Sequence, residues 1–396
     1  MSEATVPTPQ TDLSDFQRLM IITALSISVF TVGISLGGII PWIALKQDML
    51  GADGFTIGLI VAAQPLGIML VAPLVSRIAS SMGLGMAMVV FSIGTLPGVA
   101  LLPLTDSNAL WVLFRLVGGL ASAVPWVLGE TWINMATKPK WRARTMGIYG
   151  GTLAGGFALG PIMLTFFENQ LDLAIIGFTV LTVLSILPLL PILRYAPTFP
   201  KQENTAFFSI IFTMPVVFFA VVLAAVADMS FATFLPLWST AQGASIQTSL
   251  LLVSCLMVGN VVLQFPISIL ADRIGVRRTM RFCGVVSLVI PLLIMGVGTN
   301  LLLLFPLLFI FGGTVWTLYS LALADLGHRL SGSALAMANA AVVFVYTASN
   351  VVGPPLSGLG LRLWSPHGFI LVTVVIALIF VILAYLRPTP AETESS

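Results

Sequence analysis

The sequence predicts an all-α membrane protein, with twelve transmembrane helices arranged as two pseudo-symmetric six-helix bundles. Three observations carry this. Of the 396 residues, 58% are hydrophobic and only 8% are charged, where soluble domains carry roughly a quarter charged residues. Apolar windows of about 20 residues, the length that crosses a bilayer, recur twelve times. The second half of the chain also repeats features of the first at an offset of about 195 residues.

The twelve windows fall at 19–45, 55–77, 84–105, 109–133, 145–166, 172–194, 208–238, 247–270, 280–298, 301–324, 334–357 and 367–386. Each is read as a helix because lipid forces a spanning segment to satisfy its own backbone hydrogen bonds. The polar first 17 residues read as a disordered cytoplasmic tail without a basic, cleavable leader. The first bundle is then 18–194, the cytoplasmic linker 195–207, the second bundle 208–386 and the C-terminal tail 387–396.

Charge sets the orientation. With the N-terminus in the cytoplasm, fourteen of the 17 Lys and Arg residues fall on that side. Lys46 and Arg362 fall outside, and Arg115 lies within a span. Positive residues concentrate on the cytoplasmic side of membrane proteins, so both termini are expected there. The net charge of +2 gives no reason to expect a nucleic-acid partner. Cys255 and Cys283 sit in apolar runs and read as small buried hydrophobes, with no disulfide and no metal. No phosphate-binding loop, metal cluster or extramembrane catalytic domain is visible, so neither a cofactor nor enzymatic activity is expected.

The repeat is specific. Pro41, Trp42 and Gln47 correspond to Pro236, Trp238 and Gln242, and Gly118–Gly119 to Gly312–Gly313. "GFALGP" ending at Pro161 corresponds to "SNVVGP" ending at Pro354, and Gln64 to Asn260. Parallel six-helix repeats are a transporter architecture with the substrate site near the midplane between the halves.

Several motifs carry a family resemblance. "SILADRIGVRR" (268–278) resembles the cytoplasmic loop motif of the major facilitator superfamily, with Ser268 at its first glycine. The matching stretch 72–81 is degenerate: Ser76 replaces the acid and Ala79 the glycine. Arg115 with Gly119 resembles the R-x-x-x-G motif of helix 4. Glu130, Trp132 and Asn134, "TLYSLALADLGHRLSG" (317–332) and "VVGPPLSG" (351–358) resemble the bacterial YcaD-like subfamily. The resemblance implies alternating access, a small-molecule substrate and a bacterial inner-membrane location, for a monomer in a lipid bilayer.

The candidate site residues follow. Glu130 lies about 30 Å along the fourth span at 1.5 Å per residue, at its cytoplasmic edge, and Arg144 opens the fifth. Their spacing resembles a pair in the sugar-porter branch. Asp325, with Arg329 beyond it, is the analogue in the second half. Together with Asp272, Arg273 and Arg277 of the loop motif these read as an inner gate. Proton coupling through Glu130 and an inert interfacial pair are the alternatives. Asp228 lies deep in the seventh span, where a charge is expensive. It is the first candidate for proton coupling or for binding a cationic group, against a protonated carboxyl hydrogen-bonded between helices. Arg115 is read as binding an anionic substrate or pairing with a polar neighbour such as Gln64, against a structural role. Helix 1 has no acid to partner it in the manner of the drug antiporters. Trp126, Trp316 and Tyr319 are read as lining the cavity with Gln64 and Asn260, or as facing lipid or other helices. Trp42 and Trp238 are expected in an interfacial aromatic belt.

Gly156, Gly160 and Pro161 resemble the helix 5 motif of the antiporter branch. Gly353 and Pro354 stand at the matched positions, so helix packing explains much of the pattern. The function expected is secondary transport of a small organic solute, coupled to protons, with export favoured over uptake. Proton-linked uptake of a sugar-like or anionic metabolite is the alternative within transport. A non-transporting sensor or a lipid scramblase on the same scaffold is the alternative outside it.

Overall fold

The computed structural model describes residues 13–168, 170–197, 208–298, 300–330 and 332–386. The N-terminal tail up to residue 12, most of the expected linker, and the C-terminal tail lie outside the described residues.

Among the described residues, twelve helices are long and apolar enough to cross a membrane. They are α1 (Asp15–Met49), α2 (Gly54–Met82), α3 (Leu84–Leu104), α4 (Asn108–Ala136), α5 (Arg144–Thr165), α6 (Leu171–Tyr195), α7 (Pro215–Ala241), α8 (Ile246–Ile274), α9 (Val276–Val297), α10 (Leu301–Arg329), α11 (Met337–Leu363) and α12 (Gly368–Leu386). Local chemistry sets their ends. Ser14 and Gln17 open α1 with a reciprocal capping box: the Ser14 N–H donates to Gln17 Oε1 at 2.8 Å and the Gln17 N–H to Ser14 Oγ at 3.2 Å. Asp53 caps α2 by accepting the Thr56 N–H at 2.8 Å, and Ser245 caps α8 by accepting the Thr248 N–H at 3.1 Å. Gly275, at φ 94°, ends α8 and turns the chain directly into α9, a conformation glycine adopts without steric cost.

The seventh span differs from expectation. The window 208–238 is not one helix: a short helix Phe208–Thr213 stops at Met214, and Pro215 opens α7. Proline disfavours helical backbone in the residue before it and suits the first helical position. The spans also overrun their apolar windows. α8 continues to Ile274 and α10 to Arg329, so the loop-motif residues Asp272 and Arg273 and the pair Asp325–Arg329 sit on helices.

The chain forms two compact units. Residues up to Trp42, with those from Ala63 into the central linker, make one; Ile43–Ala62 with the rest of the chain make the other. In the first, α5 packs on α1 through glycines. A Cβ on Gly156 would meet Phe30 O at 2.4 Å, and one on Gly160 would meet Gly38 N at 2.3 Å. In the second unit α7 is the most buried span. It packs against α8, α10, α11 and α12, and Phe231 touches both Phe311 and Phe369. Ser230 of α7 and Ser357 of α11 share a buried hydrogen bond of 2.7 Å. The end of α1 and start of α2 join this unit: Gly58 sits against Pro354, Gly54 against Gly358, and Asp53 pairs with Arg362 at 3.4 Å.

Trp42 and Trp238 are a correction. Both are fully buried rather than lying in an interfacial belt. Each indole N–H has a partner inside the protein: Leu171 O at 2.7 Å for Trp42 and His367 Nδ1 at 3.1 Å for Trp238. Trp42 also stacks on Trp111, with ring centroids 5.4 Å apart. Once its polar edge is satisfied internally, an indole gains by burying its whole ring.

Candidate functional site

Each unit carries its own polar constellation in an apolar frame. In the first, a cavity of about 110 Å³ is lined by one face of α4. Arg115, Ser122, Trp126 and Glu130 recur at the seven- and four-residue spacings that keep side chains on one side of a helix. Across the cavity stand Gln64 of α2 and Tyr149 of α5. Arg115 and Glu130, fifteen residues apart, are separated by about 22 Å of helix rise. The slot therefore has a guanidinium at one end and a carboxyl group at the other.

Arg115 is 3% exposed. Its Nη2–H donates to Gln64 Oε1, while its Nε–H has no partner. Among the described residues no carboxylate is within ion-pair distance of it. Gln64 can approach because Gly119 lies beneath its backbone, where a Cβ would meet Gln64 O at 2.1 Å. Glu130 opens into the cavity beside Trp126 and Tyr149.

In the second unit, Asp228 is half-buried in α7. It accepts one hydrogen bond on each oxygen, from Trp316 Nε1–H of α10 at 3.0 Å and from the Tyr346 hydroxyl of α11 at 3.3 Å. Tyr319 packs edge-on against Tyr346, with centroids 5.3 Å apart, and Trp316 lies 6.1 Å from it. Asn260 is buried in α8, a helix whose Gln264 donates to Ser320 of α10 at 2.7 Å.

Asp325, near the end of α10, is buried and paired with two arginines. Arg277 reaches it in a fork, Nε to Oδ1 at 3.1 Å and Nη2 to Oδ2 at 2.9 Å, and Arg329 Nε lies 3.2 Å from Oδ2.

Thus the structure brings together Asp228 with Trp316 and Tyr319, Arg115 with Gln64, and Asp325 with Arg277 and Arg329. It does not pair Glu130 with Arg144. A one-turn helix at Pro139–Trp141 redirects the chain between α4 and α5, and Arg144 instead lies over the Trp141 ring, 5.6 Å from its centroid. Asp272 and Arg273 are exposed, and among the described residues neither forms an ion pair. Tyr346, Tyr149 and Asn350 escaped sequence reasoning. The repeat held the signal for Tyr346: the matched glycines that pack α5 on α1 imply that α11 packs on α7, opposite Asp228.

Among the described residues, no group of three or more His, Cys, Asp or Glu side chains is placed to hold a metal. Isolated polar groups within membrane-length helices define a polytopic transport scaffold, where such groups mark solute or proton paths. The family model of the Major Facilitator Superfamily matches residues 25–252 and 217–396, and the chain belongs to that family. It is 22% identical over 396 residues to the MFS-type transporter YfkF of Bacillus subtilis (strain 168), covering 97% of this chain and 100% of that one. It is 22% identical over 379 residues to the MFS-type transporter YcaD of Escherichia fergusonii, covering 94% and 96%. Among solved structures it resembles the nucleoside transporter NupG, with a TM-score of 0.74 and 14% identity over 93% of this chain and 98% of that one. A bacterial homologue of the human lysosomal transporter Spinster matches with a TM-score of 0.72 and 15% identity over 96% and 100%. At such identities the structural likenesses show the fold alone.

Proposed function

We propose that this transporter couples movement of a small organic solute to protons by alternating access, exporting the solute in exchange for protons across a bacterial inner membrane. Both termini lie in the cytoplasm in this reading, and the protein works as a monomer. One observation carries it: Asp228, a carboxylate deep in a spanning helix, is held by two neutral donors, with no cation in ion-pair distance among the described residues. A carboxylate so placed can exchange its countercharge between a proton and a solute. The Asp325–Arg277–Arg329 cluster serves as one half of the inner gate in this reading: Arg277 ties α9 to Asp325 of α10, and Arg329 holds the same carboxylate from within α10.

The second reading, uptake of an anionic metabolite, is favoured by Arg115, a buried guanidinium that donates to the neutral amide of Gln64. Proteoliposomes test the coupling. Asp228→Asn is expected to abolish flux driven by a pH gradient in a variant that still folds and inserts. Unchanged driven flux in that variant would refute coupling through Asp228.

A further inference from the structure

The Asp228 cluster is more than a satisfied carboxylate. An ionised carboxylate has about four acceptor positions, and Trp316 and Tyr346 use two of them. Asp228, Trp316, Tyr319 and Tyr346 all keep part of their surface accessible, although α7 is otherwise the most buried span. One turn beyond Tyr346 on α11, Asn350 is only 6% exposed, and its Oδ1 has no partner. The ensemble is therefore a surplus of acceptors beside three aromatic rings. The titratable group in contact with Asp228 is Tyr346, with Tyr319 behind it. Among the described residues, no Lys, Arg or His of α8 to α12 reaches Asp228. Indole and phenol faces attract cations through their quadrupoles, and a carboxylate accepts most strongly from charged donors. A neutral or anionic solute would leave both attractions unused.

We propose that Asp228, Trp316, Tyr319 and Tyr346 form a half-cage for an organic ammonium, a solute with a protonated amine and an apolar or aromatic body. The ammonium N–H groups take up the free acceptor positions on Asp228, and the rings cover its alkyl or aryl part. The proposal rests on the transporter reading and narrows its substrate class.

Binding and transport test the two separately. The full-length protein in lipid nanodiscs is titrated calorimetrically with 2-phenylethylammonium, its neutral counterpart 2-phenylethanol, and phenylacetate. The wild type is expected to bind the ammonium at least tenfold more tightly than the other two. Asp228→Asn and Trp316→Leu should lose that preference, and Trp316→Phe, which keeps an aromatic face, should retain part of it. Size-exclusion profiles and circular dichroism show that the variants are folded. Equal affinity for ammonium and alcohol in the wild type, or an unchanged preference in folded Asp228→Asn, overturns the half-cage. Proton flux driven by a non-amine solute, without ammonium preference, sinks the half-cage and leaves coupled transport standing. Ammonium binding without any flux does the reverse.

Discussion

Gly160 and Gly353 occupy repeat-related positions, yet alanine should act differently at each. At Gly160 an added Cβ would stand 2.3 Å from Gly38 N and 2.5 Å from Gly37 C. Both are backbone atoms of α1, and no rotamer change relieves them. Ordinary contact distances require α1 and α5 to separate by about 1 Å along a seam where close packing is the main attraction between helices in lipid. Overpacking of this kind costs about 1–3 kcal/mol, more than the ~1 kcal/mol that alanine gains over glycine in a helix. At Gly353 the nearest atoms are Val226 Cγ2 at 3.1 Å and Cα at 3.2 Å. A shift of a few tenths of an ångström suffices, and the helix-propensity gain offsets it. Gly160→Ala should therefore lower the thermal midpoint of the purified protein in detergent by several degrees, and Gly353→Ala should change it little. The assay is unfolding followed by thiol-reactive dye at Cys283, which is buried in the folded state. Equal midpoints for both variants, or the larger loss at Gly353, would refute the packing argument. They would return the helix 5 glycines to a role specific to transport.

Other perturbations follow from the same geometry. Gln64→Glu places a carboxylate on Arg115 and turns the guanidinium's hydrogen bond to a neutral amide into an ion pair that compensates the buried charge. The variant should unfold at higher temperature and should lose any affinity for anionic solutes; a lower midpoint would contradict this. Asp325→Asn leaves the forked Arg277 without its charge partner, and breaking a buried pair costs about 3–5 kcal/mol. Arg329→Gln, at a more exposed partner, should cost under about 1 kcal/mol, so the same midpoint assay must rank Asp325→Asn as the more damaging. Asp53→Ala removes the cap of α2, worth about 1 kcal/mol. The Thr56 N–H and hydroxyl, and then Arg362, hold the Asp53 carboxyl below the ordinary carboxylate range. A depressed pKa stabilises the fold above the unfolded value of about 3.9 and loses that contribution as pH falls through the folded value. Wild type and Asp53→Ala should then converge in stability at strongly acidic pH, and a constant gap would contradict the assignment.

Hydropathy and the repeat made the scaffold legible, because lipid demands long self-satisfied helices and because matched prolines, glycines and amides survive in both halves. Asp228 stood out for the same reason, as a lone acid in a greasy run. Its partners did not all stand out. Tyr346 is 118 residues away, and no periodicity within one helix reports on the face of another. Glu130 and Arg144 stand unpaired in this structure because a spacing along the chain carries no direction: the turn at Pro139–Trp141 places the arginine over an indole. Trp42 and Trp238 were misplaced because position along a span says nothing about rotation around it. The break at Met214 was readable from Pro215, but the unbroken apolar run concealed it.

The central claim is tested most directly by proton flux in everted membrane vesicles. An imposed pH gradient is challenged with cationic, neutral and anionic organic solutes, in wild type and in Asp228→Asn. The expected result is that organic ammonium compounds dissipate the gradient in the wild type and not in the variant. Dissipation that persists unchanged in Asp228→Asn, or a gradient untouched by every solute in the wild type, would contradict proton-coupled transport through Asp228.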